Sequence, residues 1–348
     1  MKNRFRSVLS VMLVLVLLLS CVVTSAQAAK KNTKKSSKSS SSEITVDVSA
    51  KFLYNEARSM LDLINGFRTG SEANYLDKDN KTVIKVGGLK KLQYDYNLEK
   101  IAMLRAMEIA VYFSHTRPNG TKWSTAHSGR YTMGENLAYG YGSTKSAFEG
   151  FKEDDQGYSG QGHRRNMLQK NFTRVGIGCV KVGGTVYWAQ EFGSGKAGGK
   201  SSDKFSSKSV TATWKTLSSA KTKISASTKE ISMRTGENAD LPKVVLASRS
   251  GAKNSFRGAK WTVADKSVAK IDGSKIVPLK DGKTELTADV NGTKLKVQIS
   301  VSAKSGKGVP TEVLEDYDTP LGVDEEVFIV DEEEMAYLEE SDLPESDE

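Results

Sequence analysis

The chain has 348 residues, 38% of them hydrophobic, with 51 Lys and Arg against 42 Asp and Glu and a formal net charge of +9. At roughly 150 residues per domain this length holds two domains and tails, and four Trp suit packed globular parts rather than a chain disordered throughout. The charge is uneven: residues 304–348 carry 17 acidic and 2 basic residues, which leaves residues 1–303 at +24. A basic body with an acidic tail is drawn to anionic polymers or membrane surfaces and can associate with itself.

Residues 1–28 have the pattern of a secretory signal peptide. Lys2, Arg4 and Arg6 precede an apolar run from Val8 to Val23, and Ala26-Gln27-Ala28 offers a small-x-small cleavage site. The run is shorter than the ~20 residues a helix needs to cross a bilayer, so no stable membrane span is expected. Leu18-Leu19-Ser20-Cys21 is a second, less favoured reading as a lipidation box, because the apolar run continues past Cys21 to the better site. The expected location is secreted or extracellular, with cell-wall association. The mature chain then keeps one cysteine, Cys179, so no intramolecular disulfide is available and cores must supply stability. An exported protein without disulfides reads as bacterial.

Residues 29–43, mostly Lys and Ser, are too polar to bury and read as a basic linker able to contact an anionic polymer. Residues 44–195 carry the first domain. Leu53, Ala57, Met60, Leu61 and Ile64 recur at helical spacing, with Gly66 and Gly70 near the end. A second helix spans about Asn97 to Phe113, and Pro118 closes the segment after it. A third starts at the Ser143 or Thr144 cap and turns Ala147, Phe148 and Phe151 inward. A short fourth follows His163. The runs Val175–Val180 and Thr185–Phe192 read as strands of a hairpin turning at Gly183-Gly184. Helices followed by an antiparallel hairpin indicate an α+β, sandwiched-layer domain.

Residues 196–221, rich in Gly, Ser and Lys, read as a second linker. From 222 to 303, short β-like runs alternate with turn signals such as Asp272-Gly273, Asp281-Gly282 and Asn291-Gly292, the pattern of a small all-β sandwich. The acidic segment 304–348 is expected to be disordered.

The chemistry concentrates between His115 and His163. All three histidines, His115, His127 and His163, lie in that window, with Glu135 and the run Glu153-Asp154-Asp155. Imidazoles and carboxylates on separate segments are the materials of a divalent-metal or acid–base site. Cys179 sits among Val175, Ile177 and Val180 and reads as core. No Gly-x-Ser-x-Gly elbow, phosphate loop or His-Glu-x-x-His motif is present, and no nucleic-acid partner is expected.

The ordered phrases Phe113-Ser114-His115-Thr116, Gly134-Glu135-Asn136-Leu137-Ala138, Gly162-His163-Arg164, Gly176-Ile177-Gly178 and Tyr187-Trp188-Ala189-Gln190 resemble the CAP superfamily, in its bacterial SCP-like branch. That superfamily groups cysteine-rich secretory, antigen-5 and pathogenesis-related proteins. The resemblance implies a CAP-type α-β-α sandwich whose cleft holds two histidines and two acidic residues, which in several members bind a divalent cation such as zinc. Carried over by phrase, these are His115, Glu135 and His163. The second acid, three residues after an aromatic on the third helix, falls on Asp154, with Glu153 or Asp155 as substitutes if the helix is rotated. The same four residues are the catalytic candidates, and His127 is the alternative to His115. Trp261, Ser267–Ile271 and Lys275–Thr284 resemble the bacterial Ig-like group 2 domain, which implies a spacer or adhesion module. The expected function is an extracellular CAP-domain protein that binds a metal and a ligand (lipid, wall polymer or host molecule). A metal- or His-dependent hydrolase of peptide or glycosidic bonds and a structural adhesin are the alternatives.

The charge distribution carries its own test. If the acidic tail folds back on the basic body, deleting residues 304–348 raises binding to an anionic polymer at low salt, measured by co-sedimentation; unchanged binding rejects it.

Overall fold

The computed structural model describes residues 43–220 and 222–303. The expected signal peptide with its lipidation box, the basic linker up to Ser42 and the acidic tail lie outside the described residues. Among the described residues no helix is long and apolar enough to cross a membrane.

The chain enters through β1 (Glu43–Asp47) and β2 (Ala50–Phe52), then forms α1 (Tyr54–Thr69). A small hairpin of β3 (Asn74–Leu76) and β4 (Val83–Lys85) leads to β5 (Gln93–Tyr94) and α2 (Tyr96–Val111). A 3-10 turn (Trp123–Ala126), β6 (Met133–Tyr139), α3 (Thr144–Lys152) and α4 (Gly162–Met167) follow. The hairpin β7 (Arg174–Val182) and β8 (Thr185–Gly193) completes this part.

Local sequence explains the helices. On α1 the buried Ala57, Met60, Ile64 and Phe67 make one apolar stripe. Asp95 caps α2 by accepting from the Asn97 and Leu98 amides, so the helix starts slightly before the expected Asn97. Ser143 and Ser146 form a reciprocal capping box at α3. Helix α2 is buried on nearly every side, as a helix lying between two layers must be.

The first sheet runs β2-β7-β8-β6, antiparallel from β7 through β8 to β6, with β5 added beside β7. One face meets α2, and it does so without side chains at two points. A Cβ on Gly176 stands 2.1 Å from the Glu99 amide nitrogen, and one on Gly178 stands 2.2 Å from the Ala102 carbonyl oxygen. On the other face Gln190 reaches Met60 of α1 and Met167 of α4. The sheet therefore has helices on both faces, the layering expected for residues 44–195.

The second half of the expected linker 196–221 is structured instead, over residues 209–219. It contains β9 (Ser209–Thr213) and α5 (Trp214–Ser219). Alternation explains the strand, because Val210 and Ala212 are buried while Thr211 is exposed, a period-2 pattern lost in the Ser- and Lys-rich composition. Likewise Glu43, expected as the end of the basic linker, begins β1. Strand β9 pairs with β1, whose opposite edge pairs with a strand from beyond residue 250.

That strand is one of ten between residues 223 and 302: β10 (Lys223–Ala226), β11 (Glu230–Arg234), β12 (Ala239–Asp240), β13 (Val244–Ala247), β14 (Lys253–Arg257), β15 (Trp261–Val263), β16 (Ala269–Asp272), β17 (Lys275–Pro278), β18 (Gly282–Val290) and β19 (Thr293–Ser302). The expected short β-like runs are present as strands. They do not all close on themselves. The second sheet runs β10-β13-β14-β1-β9, and Val46, Val210, Ala212 and Leu246 share one buried cluster with the helices of the first part. Asn254 donates to the Ala110 carbonyl of α2 at 3.2 Å, and Tyr187 meets Ser250 at 2.7 Å. The remaining strands form β11-β19-β18-β15 and β12-β17-β16 around Met233, Val263, Ile276, Leu286, Val297 and Ile299.

The close approach of α2 to β7 gives a test. Gly178→Ala places a methyl against backbone that cannot yield and should cost about 2–3 kcal/mol in urea unfolding. Gly87→Ala meets open space and should stay within about 0.5 kcal/mol.

Candidate functional site

The site is built on a buried guanidinium. The Arg105 side chain, on α2, is 0% exposed. It donates to Glu135 Oε2 at 2.5 Å and Oε1 at 3.3 Å, to Glu108 Oε2 at 2.6 Å and to the Ser114 carbonyl at 2.8 Å. Arg117 closes the far side of Glu108 at 2.7 Å. An ion taken from water is tolerated only when paired and hydrogen-bonded, and this one is.

His115 hangs on that network through Nδ1, 2.6 Å from Glu135 Oε1. Burial alone would raise the Glu135 carboxyl, but the charge of Arg105 and the hydrogen bond from His115 outweigh it and hold it at about 2. Glu135 is thus a carboxylate that only accepts, so His115 Nδ1 is the donor, which in the neutral ring leaves the lone pair on Nε2. Nε2 has no hydrogen-bond partner among the described residues.

A second pair of the same kind stands on the other side of β6. His163 Nδ1 lies 2.5 Å from Glu153 Oε1, and no partner of its Nε2 exists among the described residues. The acid beside His163 is therefore Glu153 and not the expected Asp154. Helix α3 ends at Lys152, and Glu153 takes the left-handed conformation, φ 50. Spacing that assumes a continuing helix is thereby displaced by one residue. Asp154, with a side chain 53% exposed, pairs instead with Lys152 and Arg164, and Asp155 is exposed. The unusual backbone at Glu153 is over-determined by its partners: Gln161 donates to its carbonyl at 3.2 Å and the Arg164 amide to its carboxylate at 3.3 Å.

Strand β6 contacts both pairs, through Glu135 and through Asn136. Glu135 faces α2, while the next residue, Asn136, faces the other layer and donates to the His163 carbonyl at 3.1 Å and Gln190 Oε1 at 2.8 Å. Asn166 bonds Asn136 and the Glu135 carbonyl. Gly134 is required before them, because a Cβ there would stand 2.7 Å from the Phe172 ring. Tyr139 packs on Phe113 and Tyr187. Tyr158 lies under the Arg165 guanidinium at 4.2 Å. Arg164 is buried and spends its donors on Asp154 and on the Lys152, Asn74 and Glu72 carbonyls. Cys179 is 0% exposed and in the core, where burial pushes the thiol up.

His127 belongs to neither pair. Its Nε2 is 2.9 Å from Glu191 Oε2 and its Nδ1 is 2.6 Å from the Tyr131 hydroxyl. Burial lowers it to about 4, and burial together with the charge of Glu135 raises Glu191 well above the carboxylate range. Sequence reading missed Glu191 because it sits inside the apolar run of β8.

The donor set does not fit the expected zinc centre. Each carboxylate uses an oxygen on a histidine Nδ1, Glu135 is further spent on Arg105, and only the two Nε2 atoms remain. Among the described residues no group of three or more His, Cys, Asp and Glu is gathered as metal ligands, whereas a catalytic zinc takes three protein ligands. What the arrangement offers is two imidazoles, each locked by a carboxylate, with a free nitrogen for hydrogen bonding or proton transfer.

Residues 61–192 match the family model "CAP: Cysteine-rich secretory protein family", which supports a CAP domain in this part of the chain. Over 111 residues the chain is 32% identical to the protein YkwD of Bacillus subtilis (strain 168), covering 30% of this chain and 40% of that protein. It is 29% identical over 131 residues to the membrane protein YlbC of the same organism, covering 36% and 35%. The matched regions thus span two fifths or less of these relatives' length. A structural likeness to the Schistosoma mansoni venom allergen-like protein 4 covers 42% of this chain and 92% of that one, with 14% identity and a TM-score of 0.32.

Removing the guanidinium tests the electrostatics. Arg105→Leu should cost about 3–5 kcal/mol at neutral pH, because two buried carboxylates lose their shared partner. The depressed Glu135 stabilises the fold above its unfolded value of 4.5 and stops doing so as pH falls toward 2. The gap between wild type and variant, read by urea unfolding, should therefore narrow between those pH values.

Proposed function

We propose that this is an exported protein whose CAP domain binds a polar, hydroxyl-bearing cell-wall polymer through the His115–Glu135 and His163–Glu153 pairs. The observation that carries this reading is that both imidazoles are held at Nδ1 by a buried acid while Nε2 stays unbonded. Such a nitrogen accepts a hydrogen bond from a ligand hydroxyl without paying to reorient, since the carboxylate has already fixed the ring. A lipid ligand is less well supported. The exposed large hydrophobic residues among those described are Val83 and Leu279, too few for an acyl-binding surface. The excess positive charge of residues 1–303 favours anionic wall polymers as neighbours. The strands after residue 222, with their resemblance to Ig-like group 2 domains, act in this reading as a rigid spacer at the cell surface.

A hydrolase is the second reading, favoured by the same pairs, because a histidine oriented by a carboxylate is the arrangement of a general base. In that case His115 or His163 takes a proton from water or from a substrate hydroxyl through Nε2, and no metal enters the step.

The test uses soluble peptidoglycan fragments and titration calorimetry. His115→Gln and His163→Gln should each weaken binding at least about tenfold, ~1.4 kcal/mol, with near-ultraviolet circular dichroism unchanged. Chelator should leave binding unaltered. Binding that survives both substitutions removes the site from the proposal, and cleavage products that vanish in both variants establish the hydrolase.

A further inference from the structure

Three acids in a row, Glu153, Asp154 and Asp155, follow α3, and the fold gives the first of them to His163. Helical geometry alone does not make that choice. The His163 ring packs edge-on against Phe151 at 5.3 Å. Were α3 to continue, the residues sharing a side with Phe151 would be those three and four further on, Asp154 and Asp155. Glu153, two residues on, would point roughly 200° away. It is the stop after Lys152 that brings Glu153 to the imidazole.

Arg164 supports that stop from the next helix. In a continuing helix the Lys152 carbonyl would accept from the Gln156 amide. Here the Gln156 amide turns back to the Glu153 carbonyl at 3.2 Å. The Lys152 carbonyl accepts from Arg164 Nη1 at 2.8 Å instead. The same guanidinium binds the carboxylate of Asp154, the rival acid. The Arg164 main-chain amide meets Glu153 Oε2 at 3.3 Å, and Oε1 goes to His163 Nδ1 at 2.5 Å. The remaining donors hold the Asn74 and Glu72 carbonyls, and the guanidinium lies over the Phe67 ring at 4.7 Å. The side chain is 4% exposed. A planar fork of five donors can serve these acceptors at once, and a lysine ammonium cannot.

We propose that Arg164 is a positioning residue that selects Glu153, out of three adjacent acids, as the partner of His163. It does for the second pair what Arg105 does for the first. Arg105 takes the Ser114 carbonyl just before His115, and Arg164 takes the Lys152 carbonyl just before Glu153. Lys152 also holds Asp154, at 2.7 Å, so the rival acid is occupied from two sides. Gln161 reinforces the turn by donating to the Glu153 carbonyl at 3.2 Å. The consequence for ligand binding rests on the function proposed above, in which His163 is a working imidazole; the choice of acid does not.

The test is read in the full chain without ligand, from nitrogen-15 spectra in which His163→Gln identifies the His163 ring signals. In wild type, Glu153→Gln should shift those signals and Asp154→Asn should leave them in place. Arg164→Lys keeps the positive charge and loses the fork. In that background Glu153→Gln should no longer shift the His163 signals, because α3 runs on past Lys152. The proposal is overturned if a folded Arg164→Lys still depends on Glu153, or if Asp154→Asn shifts the wild-type signals as Glu153→Gln does. A merely structural arginine would change stability and leave the dependence on Glu153 intact. Should Arg164→Lys fail to fold, the wild-type guanidinium decides. Distinct, slowly exchanging Nη signals are expected from a fork fixed on Lys152, Glu72 and Asp154, and one averaged signal from a freely rotating group rejects the proposal. Wall-fragment binding that survives His163→Gln, with the dependence on Glu153 as expected, would count against the binding reading alone.

Discussion

A single desolvated cation organises the first part of this protein. Arg105 has no water to fall back on, so each of its donors needs a fixed acceptor, and those acceptors come from three separated places: Glu108 one turn along α2, the Ser114 carbonyl after the helix, and Glu135 on β6. Satisfying the guanidinium therefore sets the position of β6 against α2 and the path of the chain through residues 114–117. His115 is placed as a by-product, because it sits next to one acceptor in sequence and bonds another in space. A buried ion network of this kind adds little net stability over an apolar core. Its value lies in specifying one geometry.

The opposite face of β6 reaches the same end with neutral groups. Asn136 bonds the His163 carbonyl, Gln190 and Asn166, and so ties α4 to the sheet without a formal charge. The period-2 alternation of a strand is what allows adjacent residues, Glu135 and Asn136, to serve opposite layers. Glycines make the layers fit: Gly176 and Gly178 let α2 lie on backbone, and Gly134 makes room for Phe172.

Much of this was legible in the sequence. The helical spacing on α1, the Ser143 cap, the Gly183-Gly184 hairpin and the histidine phrases all follow local rules, and those rules held where no distant partner competes. What was hidden depends on partners far along the chain. Strands β1 and β9 are only five residues long, β9 is rich in Ser and Thr, and the Asp47–Ser209 contact within their pairing spans 162 residues. The choice of Glu153 over Asp154 turned on a left-handed residue in an all-polar run, where no periodicity marks the helix end. Glu191 was masked by its neighbours, since a lone acid between Gln190 and Phe192 reads as the polar side of a strand. Its burial shows only once α2 covers that face.

The position of β6 at the end of the β2-β7-β8-β6 order has a functional logic. An open strand edge is ordinarily a hazard, because unpaired backbone groups invite another chain. For a site built from both layers it is also a necessity. A residue above a sheet and one below it are screened from each other by the strands between them, and only at an edge strand can a ligand reach both. Had Glu135 and Asn136 been placed on β7 or β8, the two imidazoles would be sealed into separate cores. On β6 the pairs His115–Glu135 and His163–Glu153 are anchored one on each face of the same edge, so a ligand that engages both must lie across it.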